Sequence, residues 1–296
     1  MAPVQKPHNI ASSASCQAYH LTLNSEVMKK HLLYLIYIIS GLTLTACEKE
    51  IDIDYHDADM RYVVEAFVSN IETHIRISHT KPMDDNTTDS NISNATVILT
   101  AGDTIREVIP YSSNGFYTSS FKGIPGTTYH LDITLDGNHF TSSSTMQRMP
   151  VMNEFRIVRK KMLSNDYIFG DIRLQDIPNE NNYYFVHIFR NGLGYRWAAF
   201  KDESNPNKEL QQLFGFFREG SNKEEVLHEG DKLRVVVRTI DKGAYDYLKS
   251  VGAMDQTGTN PIDNFTGGCL GYFSAHSELI YELIYSSYLI VNDDED

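Results

Sequence analysis

Cysteine, tryptophan and long apolar runs are all scarce in this chain, which has three cysteines and one tryptophan in 296 residues. Three cysteines cannot make a disulfide framework, so the fold must rest on an apolar core. The longest apolar run, His31 to Leu44, falls short of the about 20 residues that a membrane-spanning helix needs. Basic residues are also few: 26 Lys and Arg stand against 39 Asp and Glu, a net charge of −13. That balance argues against nucleic acid, whose binding depends on neutralising phosphates, and against electrostatic attraction to anionic lipid. No GxSxG elbow, HExxH helix or GxxxxGK[ST] loop occurs, and His228-Glu229 lacks the second histidine of a zinc site. No metal and no cofactor is expected.

What is present begins with MKKHLLYLIYIISGLTLTAC, Met28 to Cys47. Lys29 and Lys30 make a positive start, the apolar run follows, and Leu44-Thr45-Ala46 closes on Cys47, the layout of a secretory signal. The cysteine directly after small residues resembles a bacterial lipobox, in which Cys47 receives a diacylglycerol and becomes the first mature residue. Residues 1–27 are polar and lack strong periodicity, and translation is expected to start at Met28, with 28–46 as signal peptide. Cys47 to Asp296 then makes a mature chain of 250 residues, with 23 basic against 38 acidic side chains. Only Cys47 and Cys269 remain in it, and lipid on Cys47 leaves no intrachain disulfide. Residues 47–60 read as an acidic tether, within which Glu48-Lys49-Glu50 resembles the export signal that carries Bacteroidota lipoproteins to the cell surface.

Beyond the tether the chain reads as all-β. Residues 61–148 alternate in short strands (61–69, 73–80, 95–100, 104–111, 116–120, 129–136 and 139–145) separated by turn signals, the pattern of an immunoglobulin-like or transthyretin-like β-sandwich. Asn114-Gly115 and Asp136-Gly137 mark hairpins there, as Asn191-Gly192 does further on. A boundary is expected at Met149-Pro150-Val151. Residues 149–296 form a second β-rich region, with strands at 154–161, 167–174, 183–190, 194–201, 210–217 and 232–240. It has one short helix, Lys242 to Val251, capped by Asp241 and ended by Gly252. Separate closing strands are expected at 269–275 and within 279–291.

The stretch from Thr259 to Ala275, TNPIDNFTGGCLGYFSA, is the most distinctive of the mature chain. With the lipobox, the strand VVEAFVS and the strand HIRISHT, it resembles a Bacteroidota lipoprotein family, the domain of unknown function numbered 4249. The resemblance covers Cys47 to about Ser277. It implies an outer-membrane lipoprotein of two β-domains that accompanies a TonB-dependent transporter, and it brings no catalytic residues. Cys269 inside the glycine-rich turn departs from that pattern.

Gly267, Gly268 and Gly271 either serve the geometry of a tight turn or, with Asn260, form a ligand-contacting loop. Cys269 and His276 are spaced as a possible nucleophile pair, although a buried, inert thiol is the commoner case. Asp84, Asp85, Asp89 and Asn91 offer oxygen ligands for calcium at a spacing that fits no standard loop. In the aromatic cluster around the 183–201 hairpin, alternation sends Tyr183, Phe185 and Trp197 inward and leaves Tyr184, Tyr195 and Phe200 as a platform for a sugar or peptide. Asp103-Thr104-Ile105 resembles a short O-glycosylation site.

Three functions follow as expectations. The first is a surface lipoprotein that binds a glycan or peptide ligand, or a transporter partner, without catalysis. The second is a cell-surface glycan or peptide hydrolase, which requires paired acids or an activated nucleophile in a cleft. The third is a structural or adhesive module, which requires an exposed apolar patch or strand edge.

Overall fold

In the computed structural model, residues 30–31, 33–34, 60–81, 90–102, 105–175, 177, 180–202, 209–221, 223–254 and 258–292 are described. Residues 1–56 and 57–296 are separate units. In the first, Lys30, His31, Leu33 and Tyr34 are helical and exposed. No helix among the described residues is long and apolar enough to cross a membrane. The signal, lipobox and export residues, Leu44 to Glu50, and the possible calcium loop at 84–89 lie outside the described residues.

The second unit is all-β, as its alternation predicts. Its first eight strands are β1 (Tyr62–Ser69), β2 (Thr73–His79), β3 (Thr96–Ala101), β4 (Ile105–Ile109), β5 (Tyr111–Ser113), β6 (Phe116–Ser119), β7 (Thr128–Leu135) and β8 (Asn138–Thr145). Then follow β9 (Met152–Met162), β10 (Asn165–Gln175), β11 (Tyr183–Arg190), β12 (Leu193–Lys201), β13 (Glu209–Arg218) and β14 (Lys232–Ile240). Helix α1 (Lys242–Val251), the long strand β15 (Leu270–Ile284), a 3-10 turn at Ser287–Leu289 and β16 (Ile290–Asn292) complete it.

Local chemistry sets these boundaries. Asn114-Gly115, Asp136-Gly137 and Asn191-Gly192 each place two consecutive residues at positive φ, the backbone that matches the twist of a two-residue hairpin. The β9–β10 turn carries no such signal. Leu163 takes φ 57 there with its side chain fully exposed, so both strands run further than the sequence suggests. Helix α1 has its expected bounds, and the Asp241 carboxylate accepts the Ala244 amide at 3.0 Å as an N-cap. The other oxygen of Asp241 accepts from the Ser144 hydroxyl at 2.6 Å, tying the helix start to β8.

Two apolar cores lie between sheets. The first takes the inward residues of β1, β2, β3, β7 and β8, including Val64, Ile77, Leu99, Leu131, Ile133 and Phe140. The second takes those of β9, β10, β11, β13 and β14, including Ile157, Ile172, Val186, Phe216 and Val235. Met149-Pro150-Val151 lies between β8 and β9, but Phe265, Cys269, Phe273 and Ala275 return from far along the chain into the first core.

That return runs through β15. Its first half pairs in parallel with β1, Leu270 opposite Val63 through His276 opposite Ser69. Its second half pairs antiparallel with β14, Ser277 opposite Thr239 through Ile284 opposite Lys232. The result is one eight-stranded sheet in the order β12-β11-β14-β15-β1-β2-β6-β5, backed by β4-β3-β7-β8 and by β13-β10-β9-β16. The sequence suggested two closing segments; the structure has one strand of 15 residues through the polar stretch at 276–278. Most polar groups of that stretch are satisfied, His276 Nε2 being the exception. Ser277 donates to the Gln147 carbonyl at 2.6 Å, and Glu278 accepts from Arg238 at 3.0 Å.

Each half of β15 has a strand on one side and an asparagine on the other. Asn264 donates to the Phe273 carbonyl and accepts its amide, both at 2.8 Å. Asn70, just past the end of β1, does the same for Glu278 at 3.1 and 2.7 Å. A primary amide thus stands in for a neighbouring strand at two points where backbone groups would otherwise go unmet.

Candidate functional site

The glycine-rich segment closes the first sandwich. Thr266 and Thr141 exchange backbone hydrogen bonds at the edge of β8, and the Arg61 guanidinium donates to the Gly268 carbonyl at 3.0 Å. A Cβ on Gly271 would lie 1.9 Å from the Val64 carbonyl oxygen, and one on Gly267 would lie 2.2 Å from that of His139. These two glycines therefore permit backbone-to-backbone approach, the geometric use foreseen for them. Gly268 has positive φ but open space around it, and Asn260 is exposed. None of the four lines the nearest cavity, about 430 Å³ against the outer side of β7 and β8, although their neighbours Asn264 and Thr266 do.

The nucleophile pair does not assemble. Cys269 faces the first core at 1 % exposure, and burial pushes its thiol up to about 12, so no thiolate forms near neutrality. His276 emerges on the opposite face of the sheet, where alternate residues of β15 set Ser274, His276 and Glu278 in line. The Ser274 hydroxyl is 3.1 Å from His276 Nδ1, while Nε2 is 3.8 Å from Glu278, too long for a hydrogen bond. Burial holds His276 down at about 4, and it is neutral. Burial alone would raise Glu278, but the Arg238 guanidinium, 3.0 Å away, outweighs it and holds the carboxyl well below the usual range. Arg238 itself sits 6.0 Å from the Phe67 ring centroid and 5.6 Å from that of Phe185. All three residues of the Ser-His-Glu line are at most 9 % exposed, so the line is an internal polar brace and reaches no substrate.

The aromatic cluster has the expected alternation, but both of its faces are covered. Tyr184, Tyr195 and Phe200, expected as a platform, pack into the second core, with Tyr184 on Phe200 at 5.6 Å and Tyr195 on Phe216 at 5.3 Å. Tyr183 and Phe185 lie on the other face and pack in the cluster with helix α1. Trp197, also expected inward, is 43 % exposed. Alternation separates two faces but cannot say which one meets a second sheet when a helix covers the other.

A larger cavity lies elsewhere. It is an open groove of about 700 Å³ at the free edges of β12 and β13, lined by Tyr167, Phe169, Arg196, Phe217, Arg218 and Lys223 among others. Two bulges make it. In β12, Ile188 faces Arg196 and Phe189 faces Gly194, leaving Tyr195 as an extra residue. In β13, Ile168 faces Phe217 and Phe169 faces Gly215, leaving Phe216 extra. A bulge turns its side chain and frees a carbonyl from the ladder. Arg196 collects the freed groups: Nε donates to Gly215 at 2.5 Å, Nη2 to Phe216 at 2.6 Å and Nη1 to Tyr195 at 2.9 Å. Its guanidinium lies 4.4 Å from the Tyr195 ring centroid and 3.6 Å from Glu225. Tyr195, pushed up to about 12 by burial, donates to the Glu225 carbonyl at 2.7 Å.

Arg218 and Lys223 are exposed, and among the described residues neither side chain has an ion-pair partner. With Arg196 they place three cations against the single carboxylate of Glu225, in a chain of net charge −13. The sequence offered no signal for this groove beyond aromatic residues in two strands distant in the chain. The bulges that bring them together are invisible to periodicity.

Three surface cavities built from described residues each carry one carboxylate: Glu225 in the groove, Asp132 beside β8, and Glu282 in a third of about 520 Å³. None therefore holds the acid pair of a glycoside hydrolase. Among the described residues no cluster of three His, Cys, Asp or Glu is placed to hold a metal ion.

Two cores sharing one strand, with a groove at the free edge of the second, define an all-β sandwich protein. More particularly, the chain belongs to the family described as domain of unknown function (DUF4249), whose model matches residues 48–279. A comparison with curated proteins finds no match to the chain.

Proposed function

We propose that this protein is a lipid-anchored lipoprotein of the Bacteroidota outer membrane, facing the cell surface. There it acts without catalysis, as a ligand-binding partner of a TonB-dependent nutrient transporter. The observation that carries the binding role is the contrast between the groove and the reactive side chains. The groove is open and holds Arg218 and Lys223, without an ion-pair partner among the described residues, beside aromatic rings, whereas Cys269, Ser274 and His276 are buried. A rigid scaffold with function at its edges and loops is the usual arrangement for a binding protein. Two further points support the address. The segment from Lys29 to Cys47 has the order of a lipoprotein signal, and the family match begins at Glu48, directly after Cys47.

Two experiments test this reading. Cys47→Ala should release the protein from the membrane fraction and remove the acyl mass from its N-terminal peptide; a membrane-bound, unacylated variant would overturn the anchor. Affinity purification of the tagged wild type from detergent-solubilised outer membranes should bring down a TonB-dependent transporter. A solitary protein would overturn the partnership.

A further inference from the structure

We propose that the groove between the free edges of β12 and β13 is a binding site for an anionic oligosaccharide, one bearing carboxylates or sulfates on its rings. The inference rests on the ligand-binding role above and names its ligand class.

The lining supplies two kinds of contact. Tyr167 and Phe169 offer ring surface against which the apolar face of a sugar can lie, and Phe169 has only Gly215 opposite it on β13. Arg218 and Lys223 offer charge that nothing else in the described protein uses. A guanidinium meets a carboxylate or sulfate with a planar fork, and an ammonium meets it as a point charge. The overall negative charge of the chain would repel an anion at long range. At physiological ionic strength, however, charges beyond about 8 Å are largely screened, so the cations of the groove dominate locally.

The main rival is an acidic peptide. A peptide binds a free sheet edge by adding a strand, which requires unmet backbone carbonyls along that edge. Here the carbonyls of Gly215 and Phe216 already accept from Arg196. With strand addition blocked at the groove, stacking and charge remain, and both suit a charged sugar chain. A cavity of about 700 Å³ lies within the range of small-ligand sites.

The test is calorimetric titration of the purified, detergent-solubilised full-length lipoprotein. Four probes would be used: oligogalacturonate, a sulfated galactan oligosaccharide, neutral maltohexaose and oligoglutamate. One or both anionic sugars should bind, the carboxylate and sulfate arms telling which anion is read, and the two other probes should bind at least tenfold more weakly. Arg218→Ala with Lys223→Ala should weaken sugar binding at least tenfold and flatten its salt dependence. Phe169→Ala should weaken it with the salt dependence kept. Both variants alter side chains outside the apolar cores, and an unchanged melting temperature confirms their fold. Oligoglutamate binding as well as the sugars, no anionic sugar binding, or an unaffected double variant would each overturn the proposal. Failure here with the transporter still co-purifying would leave the partnership standing. The opposite result would remove the partnership and keep the sugar site.

Discussion

The two sandwiches close their open sides by different means. In the first, the segment leading into β15 lies on the neighbouring strands backbone to backbone, and Gly267 and Gly271 make that approach possible. In the second, one arginine side chain spans from the bulge in β12 to the bulge in β13. Main-chain closure leaves no room for a side chain at Gly267 or Gly271. Closure by a single guanidinium leaves room beside it, and the groove occupies that room.

Gly271→Ala separates the two closures most sharply. A methyl group 1.9 Å from the Val64 oxygen, at φ +109, forces β1 and β15 apart and should cost more than about 3 kcal/mol, read as lost soluble expression or a collapsed melting temperature. Gly268→Ala is its control. With the same sign of φ and no neighbour within 4 Å, it should cost only about 1 kcal/mol. Equal effects would show that strain, not approach, governs the segment.

Acid should loosen the junction of the two sandwiches next. His276 titrates near 6.5 when unfolded and at about 4 when folded, so its neutral form favours the fold fully above about pH 6.5. As pH falls from there towards 4, the unfolded chain takes up a proton that the native one refuses, and stability declines. His187, lowered to about 4 by burial and then by Arg238, acts in the same direction. Glu278, lowered in the native state, adds a further loss below about pH 4.5. Urea midpoints measured from pH 7 to 4 should fall steadily, and His276→Gln should flatten the slope. A flat wild-type profile would refute the buried, neutral histidine.

Arg196→Met tests the other closure. It keeps the apolar stem, strands the Gly215 and Phe216 carbonyls, and should cost about 1–2 kcal/mol, since water reaches part of the site. Faster amide exchange should be confined to β12 and β13. Smallest is Leu163→Asn, which replaces an exposed side chain at φ 57 with one that tolerates that conformation. It should raise stability by about 1 kcal/mol.

Period-two alternation and turn chemistry made most of the fold legible. The Asn-Gly and Asp-Gly hairpins and the Asp241 cap stand where the residues imply. The continuity of β15 was hidden because His276-Ser277-Glu278 reads as a polar break. What keeps it a strand is distant: Asn70, Gln147 and Arg238 meet its polar groups only after folding. The groove was illegible for a related reason. Its cations and rings come from β10, β12, β13 and the loop after β13, and two one-residue bulges aim them at one place. No local pattern announces a bulge.

The shared strand has a mechanical consequence. Tension applied at the start of β1 and resisted at the second sandwich passes through the sheet from β1 into β15, since β1 pairs with no strand of the second sandwich itself. β1 and β15 run the same way for seven paired residues, so the load falls along the strands and their cross-links shear together instead of unzipping singly. The groove on the edge strands of the second sandwich is thereby joined to β1 through a strand pair loaded in shear.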